Sequence, residues 1–110
     1  MILYIPLWAD AFTLAPSITL MRPRWRGDEP LLAHERTHAE QMRRDGWLVF
    51  WWRYLTSAAA RQAYEVEAYR AQLAAVPEPA REARREQVAG FLARDYGLGL
   101  SLEQARELLA

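Results

Sequence analysis

The chain has 110 residues and a formal net charge of zero, and 52% of its residues are hydrophobic. This length fits one domain, and the composition is too apolar for a disordered chain. Zero net charge excludes an overall field that would attract nucleic acid or an anionic membrane. The absence of cysteine excludes disulfides, thiol nucleophiles and thiolate-bound metals, so any transition-metal site must use His and carboxylate ligands.

Residues 1–26 predict a β-region of two or three short strands. The β-type runs lie at 3–7, 11–14 and 17–21. Pro6, Pro16 and Pro23 punctuate them, as expected where strands end in turns.

The remainder of the chain predicts four or five helices. The first covers 28–45, since Asp28 or Glu29 can cap it, Pro30 suits a first turn and Gly46 suits its end. The others lie at 47–60, at 61–76 and in the C-terminal part, 79–110. The sequence therefore predicts one α+β domain over residues 1–110, with a small antiparallel or mixed sheet packed on a helical bundle.

The helix predicted at 47–60 is apolar nearly all round. Its aromatic side chains recur at helical spacing, at Trp47, Phe50, Trp51 and Tyr54, and Leu48, Trp52 and Leu55 fill the other side. Such a helix is usually buried, so we expect these aromatics in the core. A membrane or partner surface is the alternative.

No segment predicts a signal peptide or a membrane span. The apolar start of the chain has no basic residue and is interrupted by Pro6 and Asp10, and the apolar run at 47–55 is too short and contains Arg53. We expect a soluble, cytoplasmic monomer that binds no nucleic acid.

The motif that carries chemistry is His34-Glu35-Arg36-Thr37-His38. On a helix, two His four residues apart project from one face, one turn apart, which suits two ligands of a tetrahedral zinc ion. Glu35 lies beside them, where it can reach a zinc-bound water. These are the chain's only two His. The pattern is typical of metallopeptidases that hold one Zn²⁺ between two His and use the Glu as base.

A catalytic zinc takes three protein ligands. With no further His or Cys, the third must be a carboxylate, and Asp45 cannot turn back along its own helix to the metal. Glu65 and Glu67 on the third predicted helix are the candidates. We favour Glu65, because it shares a face with Ala68, whose small side chain permits close helix approach; Glu67 remains the alternative.

Three segments, residues 32–41, 53–55 and 64–69, together resemble the gluzincin metallopeptidases. The resemblance is closest to the very short, soluble minigluzincins, and the catalytic modules of membrane-bound CAAX-processing and heat-shock peptidases are similar in pattern. It covers roughly residues 17–76 and implies a zincin-like fold. It also implies a sheet edge near Ile18 to Arg22 that holds an extended peptide substrate.

The resemblance further concerns a Glu-x-x-Ala-Asp element whose Glu binds zinc in that family. By position, Glu65 and Ala68 match it, which implies that Glu65 is the third ligand. Tyr69 stands where the family has an Asp that helps to orient a ligand His, so this chain departs from the pattern there.

The implied activity is zinc-dependent hydrolysis of peptides or unfolded proteins, with Glu35 as general base. Four side chains are candidates for stabilising the oxyanion, namely Tyr54, Tyr64, Tyr69 and Arg70, and the sequence does not choose among them. The alternative function is a zinc-stabilised binding module without catalysis. We also expect residues 98–110 to pack over or near the cleft and to keep the enzyme latent.

Overall fold

The computed structural model describes residues 1–4 and 10–110, and residues 5–7 of the first predicted strand lie outside this part. The described residues form an α+β fold of three strands followed by five helices, as predicted. The strands are β1 (Ile2–Tyr4), β2 (Ala11–Ala15) and β3 (Ile18–Met21). The helices are α1 (Glu29–Asp45), α2 (Trp47–Thr56), α3 (Ala58–Ala74), α4 (Glu78–Arg94) and α5 (Leu102–Leu109).

The three strands form a mixed sheet in the order β1-β3-β2. β1 runs parallel to β3, and β2 runs antiparallel to it, so β3 has a hydrogen-bonded neighbour on each side. The prediction that the strand near Ile18 to Arg22 forms the substrate-holding edge is therefore wrong. Within the described part, β2 is the edge strand that lies beside α1, through contact between Thr13 and Glu35.

Helix α1 begins and ends where its sequence provides caps. The Asp28 side chain accepts a hydrogen bond from the backbone N–H of Leu31 at 2.9 Å, and Pro30 lies in the first turn. The helix stops at Gly46, whose φ of 90° lies in the left-handed region that other residues rarely adopt.

The boundary between the second and third helices differs from the prediction of 60 to 61. α2 ends at Thr56, and α3 starts at Ala58 because the Ser57 side chain accepts from the backbone N–H of Ala60. Residues 58–60, which were predicted for the second helix, therefore belong to α3, a 17-residue helix that packs along α1. This packing brings the two site-bearing helices together.

The predicted burial of α2 holds for one face only. Phe50 is buried between α1 and α3, but Leu48, Trp52 and Leu55 are 71–72% exposed. Because α2 packs on its neighbours through a single stripe, no described residue covers its other side, and that part of the prediction is wrong. Among the helices of residues 1–4 and 10–110, none is long and apolar enough to cross a membrane.

The C-terminal helices form the second half of the core. Ala105 and Leu109 of α5 pack with Leu92 of α4 and Tyr69 of α3 in one apolar cluster. A capping box at Ser101 and Gln104 begins α5, with both reciprocal hydrogen bonds present. α5 therefore packs against both α4 and α3.

Candidate metal centre

Three buried side chains from two helices converge on one point. His34 and His38 come from α1, and Glu65 comes from α3. His38 Nε2 lies 3.1 Å from both His34 Nε2 and Glu65 Oε1, and His34 Nε2 lies 3.3 Å from Glu65 Oε1. The helical spacing of the two His places them on one face, and the close packing of α1 on α3 supplies the carboxylate.

The donor set fits a tetrahedral divalent metal. Three donors at about 2.0–2.1 Å from a zinc ion lie roughly 3.3 Å from one another, since these distances form the edges of a tetrahedron. The observed separations of 3.1–3.3 Å match this triangle. Two neutral imidazole nitrogens and one carboxylate oxygen are also ligands that zinc accepts, so the residues present suit this ion.

Without a metal, His38 and Glu65 form a charged pair within the triad of His34, His38 and Glu65. Burial lowers the pKa of His38, but the charge and hydrogen bond of Glu65 outweigh burial and raise that pKa to about 9. Burial raises the pKa of Glu65, but the charge of His38 and hydrogen bonds from both His outweigh it, and the pKa lies well below its usual range. Glu65 is therefore ionised at neutral pH, as a metal ligand must be.

Glu67 lies outside the triad. Its side chain is 51% exposed, and it accepts a hydrogen bond from Gln41 Nε2 at 2.7 Å. Gln41 also donates to the Tyr64 carbonyl, and its Oε1 lies 2.9 Å from His38 Nδ1. His38 thus donates from Nδ1 to Gln41 and turns Nε2 toward Glu65.

Sequence reasoning missed this role of Gln41. The signal was present, because Gln41 follows His38 by three residues and so lies on the same face of α1. Gln41 is fully buried, which is unusual for a glutamine without a specific partner. Side chains that hold the second nitrogen of a ligand His fix its ring orientation.

His34 has a different environment. Among the described residues, its buried Nδ1 has no hydrogen-bond partner. The Tyr69 ring packs against the imidazole in an edge-to-face arrangement, with ring centroids 4.5 Å apart. The Tyr69 hydroxyl instead pairs with that of Tyr96 at 2.5 Å. At the position where the resembled family has an Asp, this chain thus offers His34 an aromatic contact and no acceptor.

The four oxyanion candidates divide into two pairs. Tyr54 and Tyr69 line the cleft, whereas Tyr64 donates its hydroxyl to Asp45 at 2.6 Å and Arg70 donates to the Leu108 carbonyl at 3.1 Å. Those two partners hold Tyr64 and Arg70 on other faces of α3, and neither lines the cleft.

Tyr54 is coupled directly to the third donor. Its hydroxyl donates to Glu65 Oε2 at 2.5 Å, which leaves Oε1 to face the two His. Burial and the nearby charge of Glu65 raise the pKa of Tyr54, so the phenol stays protonated and keeps donating. Tyr54 therefore orients the carboxylate.

Glu35, the expected general base, is buried on the sheet side of α1. The hydroxyl of Thr13, on β2, lies 2.5 Å from Glu35 Oε2 and 3.3 Å from the Glu35 carbonyl oxygen. This contact could not be predicted from the sequence, because 22 residues separate the two side chains and the packing of β2 on α1 brings them together.

Glu35 and the triad line one cleft of about 740 Å³. β2 and α4 contribute residues to its walls, including Phe12, Thr13 and Phe91. No residue of 98–110 lines it, so this segment does not cover the cleft, although it packs in the same apolar cluster as the cleft residue Tyr69. The reason is that α5 packs against the core side of α4 and α3. Of the two C-terminal helices, α4 is the one that lines the cleft. The expected latency stays a prediction.

Comparisons with protein-family models, with curated proteins and with solved structures give no match to this chain. The resemblance to gluzincins therefore depends on the motif residues themselves.

Proposed function

We propose that this protein is a zinc-dependent peptidase. The observation that carries the proposal is the juxtaposition, in one cleft, of three buried donors at tetrahedral spacing and a buried glutamate that does not belong to the donor set. A zinc ion held by His34, His38 and Glu65 would supply an acidified water and polarise a substrate carbonyl.

The chain's own residues then account for the proton transfers. Glu35 takes the proton of the attacking water and returns it to the leaving amine, which is the usual work of a carboxylate base. Its burial limits competing solvation of the carboxylate. Tyr54 holds Glu65 in place and remains protonated, so it acts on the donor set and not as the base.

The edge of β2 suits an extended peptide. The backbone N–H of Arg22 donates to the Asp10 carbonyl at 2.9 Å, so the backbone groups of Asp10 face β3. Because these groups alternate in direction along a strand, those of Ala11 and Thr13 point to the outer edge of β2. A peptide strand can add to these groups.

That edge is short. The Leu14 carbonyl already accepts hydrogen bonds from the indoles of Trp47 and Trp51, each at 2.9 Å. An added peptide would therefore leave β2 at Leu14, and it would pair over about three residues. This supports a substrate that is an extended peptide held by few backbone hydrogen bonds. A folded protein rarely exposes an extended segment with unpaired backbone groups.

A second function, a metal-stabilised binding module without catalysis, is favoured by one observation. Metal binding would tie α1 to α3, and a small domain gains much of its stability from such a link. Among the described residues, Nδ1 of His34 has no partner, and this fits a site in which ligand orientation matters less than in a catalytic one.

The test compares Glu35→Gln with wild type on an unfolded protein substrate in buffered zinc. We expect peptide-bond cleavage to fall by roughly 100- to 10,000-fold while bound metal stays at one ion per chain, since a general base contributes about that factor. Glu40→Gln is the matched control, because Glu40 is an exposed glutamate on the same helix.

Two results separate the functions. Equal cleavage by Glu35→Gln and wild type would contradict the peptidase proposal. A wild type that cuts nothing, and whose melting temperature falls when zinc is chelated, would support the binding module.

A further inference from the structure

The buried contact between Thr13 and Glu35 links the sheet to the expected base. Thr13 is 4% exposed and Glu35 is 5% exposed, so neither group is well solvated. Thr13 Oγ1 approaches three oxygens: Glu35 Oε2 at 2.5 Å, Thr19 Oγ1 at 3.2 Å and the Glu35 carbonyl oxygen at 3.3 Å.

A hydroxyl has one proton, so these contacts cannot all be strong donations from Thr13. The proton goes to Glu35 Oε2, which is the closest acceptor and carries charge. The hydroxyl of Thr19 can then donate to Thr13. The result is a directed chain from Thr19 through Thr13 to Glu35, in which each bond polarises the next.

This chain engages one oxygen of the Glu35 carboxylate. A carboxylate has two oxygens, and among the described residues no hydrogen bond is made to Oε1. With Oε2 held, rotation of the carboxylate is restricted, and the free oxygen is the one that can receive a proton from a water in the cleft.

We propose that Thr13 is the positioning residue of the general base: its hydroxyl fixes Glu35 Oε2 and so presents Oε1 to the attacking water. This inference rests on the proposed peptidase function. The support of Thr13 is rigid, because β2 pairs with the central strand β3 directly opposite Thr19. Since β2 is also the edge that suits a substrate strand, the backbone of Thr13 would bind the peptide that its side chain helps to cleave.

The experiment measures kcat, KM and bound zinc for Thr13→Val and Thr13→Ser. Val keeps the shape and removes the hydroxyl, and we expect kcat to fall roughly 10- to 100-fold with KM and zinc stoichiometry near wild type, because small misplacement of a reacting group has effects of that size. Ser keeps the hydroxyl and should restore most of kcat. Thr13→Ala repeats the test if the Val variant folds poorly.

Thr37→Val is the matched control, since it also removes a buried hydroxyl, one that within the described part of the chain bonds to the Ala33 carbonyl of its own helix. We expect its kcat to stay near wild type. Urea unfolding of the metal-free protein gives a second measurement, one that does not depend on catalysis. Thr13→Val should lower the urea midpoint more in wild type than in a Glu35→Ala background, where the carboxylate acceptor of the Thr13 hydroxyl is removed.

The outcomes are distinct. If Thr13→Val retains wild-type kcat while Glu35→Gln loses it, the positioning role is wrong and the peptidase stands. If Thr13→Val loses zinc, or if its midpoint shift is the same in both backgrounds, the role is also wrong. If wild type cleaves nothing, both the peptidase proposal and the positioning role of Thr13 are wrong.

Discussion

The two His of the site differ in what holds them. On the side of His38, every polar atom of the ring has a partner: Nδ1 is held by Gln41, and Nε2 faces Glu65. On the side of His34, Nδ1 is buried without a partner among the described residues, and an aromatic ring packs beside it. A ligand ring can thus be oriented by hydrogen bonds or by packing alone, and this site uses both.

The difference follows from what each region of α3 supplies. The segment that faces His38 has Tyr64 and Glu67, which reach it through Gln41. The segment that faces His34 has Tyr69, whose hydroxyl bonds to that of Tyr96 and not to His34. We therefore expect changes on the His38 side to affect metal binding more than changes on the His34 side.

The largest effect should come from the carboxylate that both His share. Glu65→Gln removes the charged one of three protein donors. If that donor supplies a third of a typical zinc-site binding free energy, its loss costs about 4 kcal/mol, which corresponds to roughly a thousandfold loss of affinity. Competition with a chelator of known affinity measures it. Glu67→Gln is the control, because Glu67 is half exposed and lies outside the donor set; an equal loss in both variants would contradict the assignment of Glu65.

The next effect is the pH dependence of metal binding. Because the pKa of His38 is raised to about 9, zinc must displace a proton from it below that pH. Affinity should rise roughly tenfold per pH unit from neutral pH and level off near pH 9. The metal-free protein should behave oppositely.

For the metal-free protein, the folded pKa of His38 lies above its ordinary value of 6.5. The resulting stabilisation is complete below pH 6.5 and is lost as pH rises through about 9. Chelator competition and urea unfolding across this range check the two trends. An affinity that does not change with pH would contradict a protonated His38 in the free site.

The smallest effect tests the comparison itself. Gln41→Leu removes the acceptor of His38 Nδ1, and we expect metal affinity to fall roughly 10- to 100-fold, as is usual for the loss of such a partner. Tyr69→Phe keeps the ring beside His34 and removes only a hydroxyl that bonds elsewhere, so its affinity should stay near wild type. A larger loss in Tyr69→Phe than in Gln41→Leu would reverse the proposed difference.

Part of the site could be predicted because it is local. The spacing of His34, Glu35 and His38 fixes their relative directions as soon as α1 forms, and Asp28 and Gly46 mark its ends. The choice between Glu65 and Glu67 needed the rotation of α3 against α1. Side-chain size at Ala68 favoured the arrangement that the structure has, but no local rule fixes it.

The errors of sequence reasoning have one cause. β3 was expected at a sheet edge and lies in the centre, and Trp52 on α2 was expected in the core and is 71% exposed. Strand order and helix burial both depend on which elements pack alongside, and the composition of a segment does not specify its neighbours.

The sequence by itself determined the fold class, the caps of α1 and α5 and the face on which the two His lie, because helix periodicity and capping act within a few residues. Only the tertiary structure decided that Glu65 completes the triad, that Gln41 holds His38, that His34 Nδ1 has no partner among the described residues and that Thr13 reaches Glu35. These contacts join residues on different elements or depend on burial, and burial is a property of the assembled chain.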